Sequence, residues 1–155
     1  MEKDMLGTQI CTQVGILVRD IEKASQDFAD FLGVEKPAWS WTGTYDEAQT
    51  EYLGKPSAAR SKLAFFHVGP TIDIELIEPD TEHSTWRDDL EKYGEGVHHL
   101  AFNIKGMKQI VAKLGRNGMP LLQKGEYTGG RYAYIDANET LKCVIELLEN
   151  DKRGT

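Results

Sequence analysis

Two cysteines in 155 residues, Cys11 and Cys143, cannot build a disulfide framework. Basic runs are missing too: 18 Lys and Arg face 25 Asp and Glu, for a net charge of −7. Nucleic acid and anionic membrane surfaces both need a positive footprint, so neither is an expected partner. No stretch approaches the ~20 apolar residues of a membrane span. The opening Met1-Glu2-Lys3-Asp4-Met5-Leu6-Gly7 also lacks the apolar core of a secretory signal. These absences predict a soluble cytoplasmic protein. What is present is 40 % hydrophobic residues, enough for a real core, in a length that suits one domain of about 100–200 residues.

The spacing of those residues predicts alternating strands and helices. Val14, Ile16 and Val18 recur at the strand period. Asp20 suits the N-cap of a helix over 21–32, whose apolar face is Ile21, Ala24, Phe28 and Leu32, and Gly33 suits its left-handed end. A short strand over 37–42 and a long loop over 43–60 follow. Strands at 61–68 and 71–78 are separated by Gly69-Pro70, and a linking helix covers 82–93. After Gly94-Glu95-Gly96 the program restarts: a strand from His99 to Ile104, a helix from Met107 to Asn117, then strands at 121–123, 131–136 and 141–149. Ile74-Glu75-Leu76-Ile77-Glu78 returns as Ile145-Glu146-Leu147-Leu148-Glu149. The expectation is an α+β fold of two βαβββ modules, residues 9–79 and 95–149, joined by a linker over 80–94.

Two matched places in the repeat hold atom donors: Gln13 and His99 in the first strands, Glu75 and Glu146 in the last. Alternation sets Glu75 opposite Ile72, Ile74 and Leu76, and Glu146 opposite Ile145 and Leu147. A carboxylate in the middle of a central strand is costly unless compensated, and a divalent cation would compensate both. Imidazole, amide oxygen and two carboxylates suit zinc, nickel, cobalt, manganese or iron, and the lack of thiolates argues against a purely structural zinc site.

On Gln13-Val14-Gly15-Ile16, Ile74-Glu75-Leu76-Ile77-Glu78-Pro79, Gly96-Val97-His98-His99-Leu100-Ala101-Phe102, Gly129-Gly130-Arg131-Tyr132-Ala133-Tyr134 and Ile145-Glu146-Leu147-Leu148, the chain resembles the vicinal oxygen chelate superfamily over about residues 9–149. That superfamily includes glyoxalase I, methylmalonyl-CoA epimerase, extradiol dioxygenases and bleomycin-resistance proteins. The His-His segment and the closing Ile-Glu-Leu look most like the epimerase, while Gln, Glu, His and Glu form the quartet of eukaryotic glyoxalase I. The resemblance implies that the two modules form a curved, partly closed mixed sheet around a metal cleft, with one metal donor per strand: Gln13, Glu75, His99 and Glu146. It implies a metal-dependent epimerase, racemase or isomerase moving a proton at carbon next to a carbonyl of a small carbonyl compound or acyl thioester. A glyoxalase I-type lyase and a non-catalytic drug binder are the alternatives. One departure matters: no Asp or Glu lies between Tyr52 and Ile72, where the epimerases carry a catalytic Glu. The base is therefore expected to be Glu146, with Glu75 as second acid or base.

Other candidates carry an ordinary reading beside the functional one. His67 can donate a proton in the pocket or lie at a hairpin end on the surface. Trp39 and Trp41, with Tyr45, either line the cavity for a flat substrate or fill the core. Arg131, after the glycine-flanked stretch 125–130, either meets a substrate anion from a mobile loop or is solvated beside a plain hairpin. His98, next to the ligand His99, is expected on the opposite face, packed against a helix. Exposed sheet edges predict a homodimer.

Overall fold

The computed structural model describes residues 1–152. Strand β1 (Cys11–Leu17) feeds helix α1 (Ile21–Leu32). Asp20 Oδ1 accepts from Lys23 N at 3.1 Å, which satisfies a donor the first turn leaves unpaired. Gly33 ends the helix at φ 69°, where a side chain would be strained. The expected short strand over 37–42 is present as β2 (Ser40–Trp41), and the expected long loop instead holds the single turn α2 (Tyr45–Ala48) and the small hairpin β3 (Glu51–Tyr52) and β4 (Lys55–Pro56). β5 (Ser61–His67) and β6 (Asp73–Pro79) pair as predicted, and α3 (Thr85–Tyr93) follows, capped by Ser84. The second half runs β7 (Gly96–Asn103), α4 (Met107–Arg116), β8 (Leu121–Tyr127), β9 (Gly130–Ala137), the turn α5 (Asn138–Leu141) and β10 (Cys143–Asn150). Residues 138–142, expected in part as the start of the last strand, form that turn, with Lys142 at φ 67°.

One strongly curled ten-stranded sheet results, in the order β2-β5-β6-β1-β7-β10-β9-β8-β3-β4. The mixed α+β fold is the one expected. The central pair, β1 and β7, is antiparallel and lies within one chain. Gln13 faces Ala101, and His99 faces Gly15, on either side of the Val14–Leu100 pair. β6 runs parallel to β1 with Gly15 beside Glu75, and β10 runs parallel to β7 with Ala101 beside Glu146.

Alternation then divides the apolar side chains between three clusters. Leu76 packs outward with Val18, Ile21, Ala29 and Phe66 beneath α1. Ile145 and Leu147 pack outward with Ile110, Leu114 and Ile135 beneath α4. The inner face buries Leu17, Ile77, Tyr134 and Val144 against Trp86 and Leu90 of α3. Helix α3 therefore closes one end of the concave side, and its N-terminus is pinned there: Gln123 Oε1, fully buried, accepts from Thr85 N at 2.9 Å.

Candidate metal centre and its cavity

Gln13, Glu75, His99 and Glu146 come from four adjacent strands, β1, β6, β7 and β10, and meet on the concave face. Glu75, His99 and Glu146 are all buried, and each offers a ligand atom within 4.8 Å of the others. His99 Nε2 stands 2.7 Å from Glu146 Oε2 and 3.6 Å from Glu75 Oε1. The short approach is not an aligned hydrogen bond: His99 Nε2, Glu75 Oε1, Glu146 Oε2 and Gln13 Oε1 are all buried without a hydrogen-bond partner. Buried polar atoms in native proteins are almost always paired, so three clustered orphans, with Gln13 Oε1 as a fourth in the same cavity wall, form a group that could hold a cation.

Electrostatics agree. Burial first, and for Glu75 the charge of Glu146 second, push both carboxyls well above their ordinary range. Burial also pushes the His99 imidazole down to about 4, so it is neutral at pH 7. A neutral imidazole is the form that binds metal.

His99 is held by neighbours. The β1–β7 register slips between Gly15 and Ile16, leaving His98 as the extra residue of a bulge. The bulge corrects the expectation that His98 lies on the opposite face: both rings turn inward, with centroids 5.2 Å apart. The helix contact was expected and is present, since His98 Nε2 lies 2.9 Å from Asp89 Oδ2 and 3.3 Å from Thr85 Oγ1 of α3. His98 Nδ1 is 3.0 Å from His99 Nδ1. With the His98 proton on Nε2 toward Asp89, His99 donates from Nδ1 and presents the Nε2 lone pair to the cleft. Gly15 makes room, because a Cβ there would overlap the His99 ring.

A cavity of about 1160 Å³ opens over the cluster, with Gln13, Glu75, Glu146, Tyr132 and Tyr134 in its wall. The other expected site residues divide. Trp41 and His67 line the cavity, His67 at the exposed end of β5 with Nδ1 2.6 Å from Asp73 Oδ1. Trp39 does not, because it packs on the outer cluster under α1 and donates from Nε1 to Glu22. Tyr45 opens α2 on the surface outside the wall. Arg131 is committed elsewhere: Nη1 meets Glu149 at 2.9 Å and Nη2 meets Asp151. Its hairpin is a tight turn between β8 and β9 rather than a mobile loop.

Sequence reasoning missed several wall residues. Tyr134 is buried with its ring 5.0 Å from His99, and its hydroxyl accepts from Trp86 Nε1 at 3.0 Å. The alternation of Tyr132 and Tyr134 with Ala133 and Ile135 was the available signal. Glu47, Glu126 and Arg60 also line the cavity, and positions in a single helical turn, at a strand end and in a loop carry no periodicity to announce them. Gly15, a glycine inside a strand pattern, does mark a close approach.

The sequence pattern of the glyoxalase/bleomycin resistance protein/dioxygenase superfamily matches residues 12–135. The chain belongs to that superfamily. An uncharacterized Bacillus subtilis (strain 168) protein, YqjC, is 29 % identical over 139 residues, covering 88 % of this chain and 89 % of that one. Among solved structures, a methylmalonyl-CoA epimerase from Mycobacterium tuberculosis superposes with a TM-score of 0.63 at 21 % identity, covering 98 % of this chain and 93 % of the other. A Streptomyces coelicolor methylmalonyl-CoA epimerase in complex with 2-nitronate-propionyl-CoA superposes at 0.62 and 18 % identity, covering 92 % and 97 %. At these identities the likeness is one of fold.

Proposed function

We propose that this protein is a divalent-metal-dependent epimerase or isomerase that moves a proton at carbon next to a carbonyl, with Gln13, Glu75, His99 and Glu146 as the metal ligands. The observation that carries the reading is the cluster of buried, unpaired donors from Glu75, His99 and Glu146 at a cavity whose wall also holds the unpaired Gln13 Oε1. A divalent ion held by these four residues would supply Lewis-acid chemistry, making the C–H next to a substrate carbonyl more acidic. The protein's own groups do the rest. Glu146 is the base that takes the proton. Glu75, on the other side of His99 in sheet order, returns one. His67 at the exposed rim is a further proton donor to the pocket, and Trp41 gives the substrate an apolar wall.

The mixed quartet also supports a second reading, a glyoxalase-type lyase acting on a thiol hemiacetal, because it differs from the epimerase pattern at Gln13 and Glu75. With the function we keep the division into modules 9–79 and 95–149 around the linker 80–94, supported by the symmetric pairing about Val14 and Leu100. We also keep a homodimer, supported by the exposed Phe31, Leu32 and Val34 and tested by sedimentation velocity. All four donors come from one chain.

Chelator-treated protein, reloaded with zinc, nickel, cobalt, manganese or iron, is to be incubated in D2O with methylmalonyl-CoA and with the hemithioacetal of methylglyoxal and glutathione. Metal-dependent exchange or turnover that Glu146→Ala abolishes supports the proposal, and the substrate that reacts chooses between the readings. Absence of metal binding, or exchange unchanged in Glu146→Ala, overturns it.

A further inference from the structure

Arg60 stands just before β5 and is, among the described residues, the one Lys or Arg in a cavity wall that otherwise carries Glu47, Asp73, Glu75, Glu126 and Glu146. Its guanidinium makes no ion pair within 4 Å among the described residues, although the chain has an excess of carboxylates. Nearby Asp80 is occupied otherwise, accepting from the backbone N–H of Arg60 and of Glu82. The arginine is nevertheless held in place. Nε donates to Thr42 O at 2.9 Å, and the guanidinium carbon lies 5.3 Å from the Trp41 ring centre. Arg60 O also accepts from Asp80 N at 2.9 Å, which fixes the backbone from both sides. A half-buried arginine anchored through Nε, stacked on an aromatic and without a carboxylate partner leaves its two NH2 ends for a ligand.

We propose that Arg60 is the anion-recognising residue of this cavity, and that the substrate is a carbonyl compound carrying a carboxylate or phosphate remote from the reacting carbon. The spacing follows from strand geometry. Phe65 pairs with Glu75, and Arg60 is five residues earlier in the chain, about 16 Å along an extended backbone. An anion held at Arg60 is therefore remote from the carbon that reacts beside Glu75 and Glu146. The cavity has the volume for such an extended molecule. Glu47, whose carboxylate lies over Gly43 next to Thr42, opposes an anion here, so its removal strengthens binding. The inference rests on the proton-transfer reading only for which end of the substrate reacts.

The test uses chelator-treated full-length protein, so a failed metal reading and a failed anion site remain distinguishable. Octanoate, octyl phosphate and the isosteric neutral octanamide are titrated by calorimetry. The expected result is that at least one anion binds about tenfold more tightly than the amide, with the tighter of the two naming the group. Arg60→Met abolishes the preference and leaves octanamide unchanged, and Arg60→Lys retains part of it. Glu47→Gln raises anion affinity alone, which keeps the proposal testable if Arg60→Met fails to fold. Equal binding of anions and amide by the wild type, a preference retained in Arg60→Met, or no effect of Glu47→Gln overturns it.

Discussion

A methyl group at position 15 would overlap the His99 imidazole, so the site depends on an atom that is absent. Gly15→Ala is expected to cost about 1–3 kcal/mol, the usual range for overpacking a filled core, and to lower metal affinity because the ring must move. Denaturant unfolding with and without zinc measures both. Behaviour like the wild type would mean that the β1–β7 pair yields without moving the ring. Asp89 acts two bonds further out, fixing the His98 proton and through it the His99 tautomer. Outer partners of this kind are worth about 10–100-fold in metal affinity. Asp89→Asn should therefore weaken zinc binding by that factor while unfolding at nearly the same denaturant concentration. An unchanged zinc affinity would show that the tautomer is set elsewhere.

Among the elements, α3 is the piece that separates cavity from core. It presents Trp86 and Leu90 to the inner cluster, Asp89 to His98, and its first backbone N–H to Gln123. Gln123 also donates from Nε2 to the Tyr132 hydroxyl at 3.1 Å, so one buried amide ties the helix to the cavity wall. Replacing it with leucine strands Thr85 N and the Tyr132 hydroxyl, at a cost of about 1–3 kcal/mol for each buried group left unpaired. The measurable outcome is a lower unfolding midpoint together with faster amide exchange in the first turn of α3, and protection equal to the wild type would refute the anchoring role. The segment over 43–60 shows what periodicity cannot reach. Its two-residue strands are too short for a pattern, yet β3 pairs with β8, which is remote in sequence, and brings Glu47 into the wall.

For the whole molecule, two buried carboxyls in one cavity set a pH dependence. Their folded-state pKa values are raised to about 8 from an ordinary 4.5, mainly by burial. The folded protein therefore holds more protons than the unfolded chain between those values, and metal-free stability is lost as pH rises through that window. His99 works in the opposite sense below 6.5, because the unfolded imidazole gains a proton that the buried one refuses until about pH 4. From pH 6.5 to 8 the carboxyls act without that opposition. Chelator-treated protein should thus unfold more easily at pH 8 than at pH 6.5, Glu146→Gln should flatten the trend, and saturating metal should remove it. A flat wild-type profile would contradict the burial.

Legible in the sequence was the inner face that Gln13, Glu75, His99 and Glu146 occupy, because strand alternation is local and places these polar side chains opposite apolar runs that must be buried. The α+β architecture was legible for the same reason, through the switch from a two-residue to a helical period at Asp20 and at Met107. The inward turn of His98 was not, since a bulge depends on how β1 and β7 pair, which neither strand encodes alone. Nor were the separation of Trp39 from Trp41, the commitment of Arg131 to Glu149, or the exposure of Arg60 to the cavity. Those outcomes depend on the curl of a ten-stranded sheet, which brings residues distant in the chain within reach and decides which polar groups find partners and which are left to hold a ligand.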